Sequence, residues 1–444
     1  MTMSDVKFSA FRTVPKTGVI YVMDKAEKLG FVAGSTEWSN LGQGAAETGE
    51  IPGCAPRLIE VPQSMQLYEY SSVSGIKDLR QAVADLYNHR YRQGMASQYT
   101  YENVAISSGG RTGLTRIVAA LGQINLGHFI PDYTAYEELL GLFRNIIPIP
   151  IMLDPLNGFT ATAELLRERI TGLGLGAVLF SNPCNPTGQV ICGDNLAQCV
   201  EVMRQLHSCL IIDEFYSHYH YNDDEHNGHP ISSAAYVEDV NHDQVIIVDG
   251  LSKNWRYPGL RVSWTVAPKD VIQAISSAAS FLDGGSNHPI QRAILPLLRN
   301  EIAKTETAAI QAHFKNKREI VLQRLNAMGF VLHNNPQGGF YAFVSLENLP
   351  ESLRDGLQFF KKALEYKVIC VPGEFFDVDP GKRRSHIPSR LSHYVRISYG
   401  PPLAEVLRGL DALQRLIDDH ATTFSNQADS TTVVTNPSSP DFLN

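Results

Sequence analysis

The chain has 444 residues, 43% hydrophobic and 19% charged, with a formal net charge of −8 and a pI near 6.0. That length and apolar content can bury a large core and predict a globular protein of two domains. The acidic balance excludes a surface built to neutralise phosphate backbones, so nucleic acid is not an expected partner.

From the N-terminus, MTMSDVKFSAFR lacks a basic segment followed by an apolar one, and no stretch nears eighteen uninterrupted apolar residues, so neither a leader nor a membrane span is expected. Six cysteines (54, 184, 192, 199, 209 and 370) form no CxxC pair, which suits reduced thiols in a cytoplasmic protein. Short β-branched runs then recur at VAIS (104–107), AVLFS (177–181), LIID (210–213), VIIV (245–248) and RVSWTV (261–266), with helix-period stretches between several of them. The alternation predicts an α/β fold: a mostly parallel sheet sandwiched by helices, with ligands at the carboxyl ends of its strands. SSGGR, SNPCNPTG, Asp213 and Lys253 all follow such ends.

After residue 300 the pattern changes to a polar helical stretch (313–328), the turn PQGGFYAF, strands near VICVP and YVRIS, and a closing helix over 403–419. Leu403, Val406, Leu407, Leu410, Leu413 and Ile417 form one apolar stripe on that helix, read as core packing rather than a partner site. The expected organisation is an N-terminal arm with part of a small domain (1–60), a large domain (61–300), a smaller α+β domain (301–420) and a disordered tail (421–444) rich in Ser, Thr, Asn and Pro. No internal repeat is found.

LSKNWRYPGLR (251–261) places a lysine two turns ahead of an arginine in a segment too broken by Pro-Gly for a long helix. A lysine desolvated at a strand's end holds a free amine that can attack a carbonyl. Taken alone it reads as a surface ammonium, but its companions change the reading. Arg261 offers a bidentate fork for a phosphate, and Gly109 and Gly110, leading into a helix, offer backbone N–H groups for the same anion. Asp213 closes a buried strand and needs a cationic partner such as a protonated pyridine nitrogen. An aldehyde, a phosphate and a pyridine together describe pyridoxal 5'-phosphate.

On these residues the chain resembles the fold-type I pyridoxal-phosphate enzymes of the class I/II aminotransferase family, over roughly residues 38–418. NPCNPTG (182–188) resembles the family's NPxNPTG, which implies that Asn185 bonds the cofactor's phenolic oxygen and lies beside the substrate. DEFY (213–216) resembles DExY, implying Asp213 on the pyridine nitrogen and Tyr216 on the phenolic oxygen. LSKNWRYPGLR resembles SxSKxxxxxGxR, implying that Lys253 is the tethering amine and proton carrier and that Arg261 anchors phosphate. SSGGRTGL resembles the phosphate turn, assigning Gly110 and Arg111 to backbone contacts, and PDYTAY makes Tyr133 the ring that stacks on the pyridine. YSSVSGIKDLR implies that Tyr70 reaches the phosphate of a neighbouring subunit, hence a homodimer with shared sites. YVRIS implies that Arg396 clamps the substrate α-carboxylate, and LGQG (41–44) that Gly44 closes over it. The implied activity is a 1,3-proton shift that passes an amino group from an α-amino acid to a 2-oxo acid.

Two departures stand out. Gly250 occupies the position, three before the lysine, where the family has Ser or Thr, with Ser252 as a possible substitute hydroxyl. No arginine precedes SNHP (286–289), so a second substrate carboxylate has no evident partner there and dicarboxylate specificity is not expected. Glu47, Glu50 and Asp283 suggest instead either a cationic substrate side chain or ordinary solvated charges. The same carbanion chemistry also fits a lyase or cyclase similar to 1-aminocyclopropane-1-carboxylate synthases or guanidino-amino-acid cyclases. A cofactor-binding regulator is disfavoured, since no helix-turn-helix segment is read before residue 38 and Lys253 is intact. HYHYNDDEHNGH (218–229) lacks a fixed metal-ligand spacing and reads as solvent-facing loop, so no metal is expected. GKRRSHIPSR (381–390) reads as a mobile loop near the substrate mouth.

Overall fold

The computed structural model describes residues 10, 14, 18–221 and 228–429, the last eight by backbone alone. In chain order its elements begin with α1 (Gly18–Lys28), β1 (Ser39–Asn40), α2 (Lys77–Tyr91), β2 (Val104–Ser107), α3 (Gly110–Ala120), β3 (Ile124–Ile130), α4 (Ala135–Leu142), β4 (Ile146–Met152), α5 (Ala163–Leu173), β5 (Leu175–Ser181) and α6 (Gly193–Gln205). Next come β6 (Cys209–Asp213), β7 (Val245–Gly250), α7 (Leu251–Asn254), β8 (Ser263–Val266), α8 (Lys269–Leu282), α9 (His288–Ala293) and α10 (Asn300–Ala327). The chain closes through β9 (Tyr341–Ser345), α11 (Gly356–Glu365), β10 (Val368–Ile369), β11 (Val371–Pro372), β12 (Tyr394–Ser398) and α12 (Leu403–Asp429).

Seven strands form one sheet in the order β2-β8-β7-β6-β5-β3-β4. From β7 through β4 every pairing is parallel, while β8 runs antiparallel between β2 and β7. The strand interiors are buried over almost every residue of β2, β5, β6, β7 and β8, as a sheet covered on both faces requires. Helix α3 packs with α8, and α5 with α6. Because β5, β6 and β7 are parallel and in register, Ser181 pairs with Asp213 and Asp213 with Val248, so three carboxyl ends open on one edge.

A second sheet, β11-β12-β9, is antiparallel, and β1 pairs with β10 in parallel, which ties the N-terminal segment to the C-terminal part of the chain. Helix α12 carries the expected stripe, with Val406, Leu410 and Leu413 fully buried, and runs on to Asp429. Residues 430–444, the rest of the segment expected to be a disordered tail, lie outside the described residues. Among the described residues no helix is long and apolar enough to cross a membrane.

Candidate active site

The lysine segment leaves β7 at a point of close approach. A Cβ on Gly250 would stand 2.6 Å from Ser263 Cα and 2.7 Å from the Val262 oxygen, so the antiparallel neighbour β8 leaves no room for Ser or Thr. One helical turn, α7, then presents Lys253. Asn254 fixes that turn from behind, donating to Asp249 Oδ1 (2.7 Å), the Ser217 hydroxyl (2.9 Å) and the Glu214 carbonyl (3.1 Å). The Lys253 ammonium donates to the Gly44 carbonyl. Burial lowers its pKa from 10.5 to about 7, and the charges of Arg396, Arg111 and Arg261 add to the effect against the attraction of Asp213.

Asp213 sits at the end of β6, nearly sealed from solvent. Burial raises its carboxyl to about 6, moderated by the Phe215 N–H (3.3 Å), by the Tyr136 hydroxyl, which donates to Oδ2 at 3.1 Å, and by Lys253. Tyr136 was not foreseen; it begins the turn of α4 three residues after Tyr133, whose ring it meets edge-on at 5.5 Å. Tyr216 shares a hydrogen bond with Tyr341, hydroxyl to hydroxyl at 2.8 Å. Tyr341 too was missed, although GGFYAF displays it on an otherwise apolar strand.

Arg396 on β12 is 1% exposed and donates to the expected Asn185 at Oδ1 (2.8 Å) and to the carbonyl of Gly42, two residues before the expected Gly44 (2.7 Å). Its Nε is also buried and has no hydrogen-bond partner among the described residues. Asn185 is oriented in turn by the Ser181 hydroxyl, which accepts its N–H at 3.2 Å and donates to Asp132.

Opposite lies a cradle for an anion. Gly109, at φ 93, caps α3, and a side chain there would overlap the Arg261 guanidinium; one on Gly110 would stand 2.6 Å from the Phe215 ring. Backbone N–H groups at the start of α3 are therefore left bare beside a cation. Arg261 donates to the Ser252 hydroxyl at 3.3 Å, so this buried hydroxyl lies beside the arginine. Arg111 donates through Nε and Nη2 to the Tyr133 hydroxyl at 3.2 and 3.0 Å. The structure thus gathers Gly44, Gly110, Arg111, Tyr133, Asn185, Asp213, Tyr216, Lys253, Arg261 and Arg396 at one edge of the sheet. Tyr70 stands apart, 100% exposed, with no hydrogen bond or ring contact among the described residues.

Three expectations are corrected. Asp283 does not face the cleft as a free acid: the Arg116 guanidinium grips it at 2.6 and 2.9 Å. Glu47 is likewise taken, by His313 at 2.7 Å and Lys317 at 2.8 Å, while Glu50 is exposed, so the three acids do not form a cationic subsite. Of HYHYNDDEHNGH, residues 222–227 lie outside the described residues, but His218 and His220 are buried rather than solvent-facing; His218 is held between Arg90 (3.1 Å) and Thr307 (3.2 Å). Among the described residues no three His, Cys, Asp or Glu side chains group as a metal would require. The stretch 381–390 is pinned by Lys382 on Glu137, Arg384 on Asp377 (2.7 Å) and Ser389 on Asp377 (2.7 Å), not left loose.

Comparison with known proteins agrees with the geometry. The family model described as "Aminotransferase class I and II" matches residues 36–413. The chain is 25% identical over 372 residues to an aspartate aminotransferase of Streptomyces avermitilis, covering 81% of this chain and 84% of that one. It is 25% identical over 340 residues to an aspartate/prephenate aminotransferase of Cereibacter sphaeroides (74% and 79% covered). Among solved structures, an aminotransferase from Mycobacterium tuberculosis superposes with a TM-score of 0.74 at 23% identity, covering 91% of this chain and 97% of that one.

Proposed function

The chain belongs to the class I and II aminotransferase family, and from that premise we propose that Lys253 and Asp213 are its catalytic pair, with Tyr216 beside them. It is a pyridoxal-phosphate-dependent aminotransferase of fold type I, acting on an amino acid and a 2-oxo acid. The residues present suit the cofactor: a side-chain-free cradle with Arg261 and Ser252 for the phosphate, a buried carboxyl for the ring nitrogen, and an amine held near neutrality. Bound there, the cofactor supplies an electron-withdrawing ring that acidifies the substrate's Cα–H.

The chain's own groups do the rest. Lys253 tethers the cofactor and, once released, takes and returns the proton at Cα; a pKa near 7 lets it act both as base and as acid. Asp213 would hold the proton on the cofactor's ring nitrogen, and Asn185 and Tyr216 would address its phenolic oxygen. Tyr133 would lie against the ring, Gly110 and Arg111 would present backbone N–H groups to the phosphate, and Arg396 with Gly44 would hold the substrate carboxylate. A second carboxylate finds no arginine in residues 281–285.

We take residues 61–300 as the cofactor-binding domain and 301–420 as the smaller one. We also read the enzyme as a homodimer: Tyr70 and its neighbours Ile59 (90% exposed), Met65 and Tyr68 leave an apolar surface that a second copy would cover while Tyr70 reaches its phosphate cradle. Six free cysteines favour a reducing, cytoplasmic setting.

The buried, depressed Lys253 amine facing Asp213 is the observation that carries this reading. Borohydride reduction of the yellow protein should label the Lys253 peptide, and amino acids should pass their amino group stoichiometrically to 2-oxoglutarate or pyruvate. An unlabelled Lys253, or a folded Lys253→Ala variant with undiminished turnover, overturns it; ammonia or a ring product without an acceptor would favour elimination or cyclisation.

A further inference from the structure

Tyr341 lies in the turn PQGGFYAF, to which no role was assigned, yet it touches two of the groups that the cofactor and substrate motifs single out. Strands β9 and β12 pair antiparallel with Phe343 opposite Arg396 and Tyr341 opposite Ser398. Tyr341 is therefore the diagonal neighbour of Arg396 on the same face, within reach of a long side chain. The Arg396 guanidinium lies 4.2 Å from the centroid of the Tyr341 ring, with Phe376 at 5.0 Å. The hydroxyl of the same tyrosine meets the Tyr216 hydroxyl at 2.8 Å. It also comes within 3.2 Å of where a Cβ on Gly44 would lie, so it borders the carbonyl that receives Lys253. Tyr341 is fully buried, and its hydroxyl has no other hydrogen-bond partner in the chain's described residues than Tyr216.

We propose that Tyr341 is a positioning residue serving both the substrate and the cofactor side of the site: its ring seats the carboxylate clamp Arg396, and its hydroxyl aims that of Tyr216. This rests on the reading of Tyr216 and Arg396 given above. A buried guanidinium over an aromatic face gains from the ring's quadrupole, and the ring fixes the plane in which its Nη1 and Nη2 donors reach Asn185 and Gly42. The buried Arg396 Nε has no hydrogen-bond partner among the described residues. If Tyr216 donates its proton to the cofactor's phenolic oxygen, its own oxygen accepts from Tyr341, and a donor there polarises the Tyr216 O–H and strengthens its donation.

The sign of the effect follows. A hydrogen bond to the phenolic oxygen favours the form of the bound chromophore that has lost its proton, because the oxygen is then the uncompensated charge. Removing the Tyr341 hydroxyl weakens that bond and raises the pH midpoint of the visible absorbance change.

The test compares holoenzyme of wild type, Tyr341→Phe and Tyr341→Leu by absorbance titration and steady-state kinetics. Tyr341→Phe keeps the ring and should raise the midpoint by about 0.3–0.5 pH unit while leaving KM for the amino acid within about twofold. Tyr341→Leu should show the same shift and also raise KM by roughly 3- to 10-fold, as the contact under Arg396 is lost. Should the leucine variant not fold, Tyr341→Met takes its place. An unchanged midpoint in Tyr341→Phe, or an unchanged KM in the leucine or methionine variant, overturns the proposal. Absence of any titrating band, or of borohydride label on Lys253, in the wild type would instead sink the reading of the site on which it rests.

Discussion

Replacing Lys253 with methionine in the cofactor-free protein should stabilise it, and the gain should depend on pH in a defined way. Methionine matches the length of the buried stem and removes the amine that burial and three guanidinium groups disfavour as a cation. The folded pKa, about 7, lies below the ordinary 10.5. Below pH 7 the lysine is protonated in both states and the full penalty applies. Between about 7 and 10.5 the unfolded chain binds a proton that the folded chain releases, so wild-type stability climbs with pH. Above 10.5 neither form is charged and the penalty is gone. These limits correspond to a variant advantage of about 4 kcal/mol at pH 7, about 2 at pH 9 and about 0.4 at pH 10.5. Urea unfolding of both apo proteins across that range, followed by tryptophan fluorescence, measures it. A variant no more stable at pH 7, or an advantage that does not shrink toward pH 10.5, would refute the picture of a lysine held as free amine.

Gly250→Ser, which restores the family's hydroxyl, should cost about 1–3 kcal/mol through overlap with Ser263 and the Val262 carbonyl, seen as a lowered urea midpoint; equal stability would mean that β8 yields easily. Asp283→Ala leaves the fully buried Arg116 side chain without its carboxylate and should cost about 2–3 kcal/mol while the relative kcat/KM of cationic and neutral amino acids stays the same. A change in that preference would reinstate Asp283 as a substrate contact. Burial pushes the Glu47 carboxyl up, but hydrogen bonds from His313 and Lys317 outweigh it and hold it at about 2. Its folded pKa is thus depressed, so its contribution of about 3 kcal/mol is present above pH 4.5 and lost as pH falls toward 2. Glu47→Gln should flatten acid unfolding across that window and lower stability at pH 7; an acid limb as steep as the wild type's counts against the triad.

What could be read from sequence was what is local. VAIS, AVLFS, LIID, VIIV and the SWTV of RVSWTV became β2, β5, β6, β7 and β8, because a strand buried on both faces needs an uninterrupted apolar run. Strands β3 and β4 escaped notice: INLGHFI is interrupted by Gly and His, and IIPIPIM carries two prolines, tolerable because β4 is an edge strand. The cradle and the lysine turn were legible since each is a strand end followed by its own loop. Partnerships across long separations were not. Tyr136 meets Asp213 across 77 residues, Tyr341 meets Tyr216 across 125, and Arg116 captures Asp283 across 167, and no periodicity encodes those meetings.

Burial also decides which acid can serve the cofactor. Four carboxyls, Asp132, Asp213, Glu214 and Asp249, are buried at or beside the ends of β3, β6 and β7, and desolvation raises all four. Asp132 rises to about 8 and Glu214 to about 7, while Asp249 goes well above the ordinary value. Asp213 rises only to about 6, and it alone among them has Lys253 among the causes that pull it down. Among Asp132, Asp213 and Glu214, Asp213 is therefore the least raised, and Lys253 is what sets it apart. The Tyr136 donor reinforces that selection at Oδ2. A bound cofactor's ring nitrogen would find in Asp213 the carboxyl of this set held lowest, and the protonated ring would supply the electron sink for the substrate's Cα.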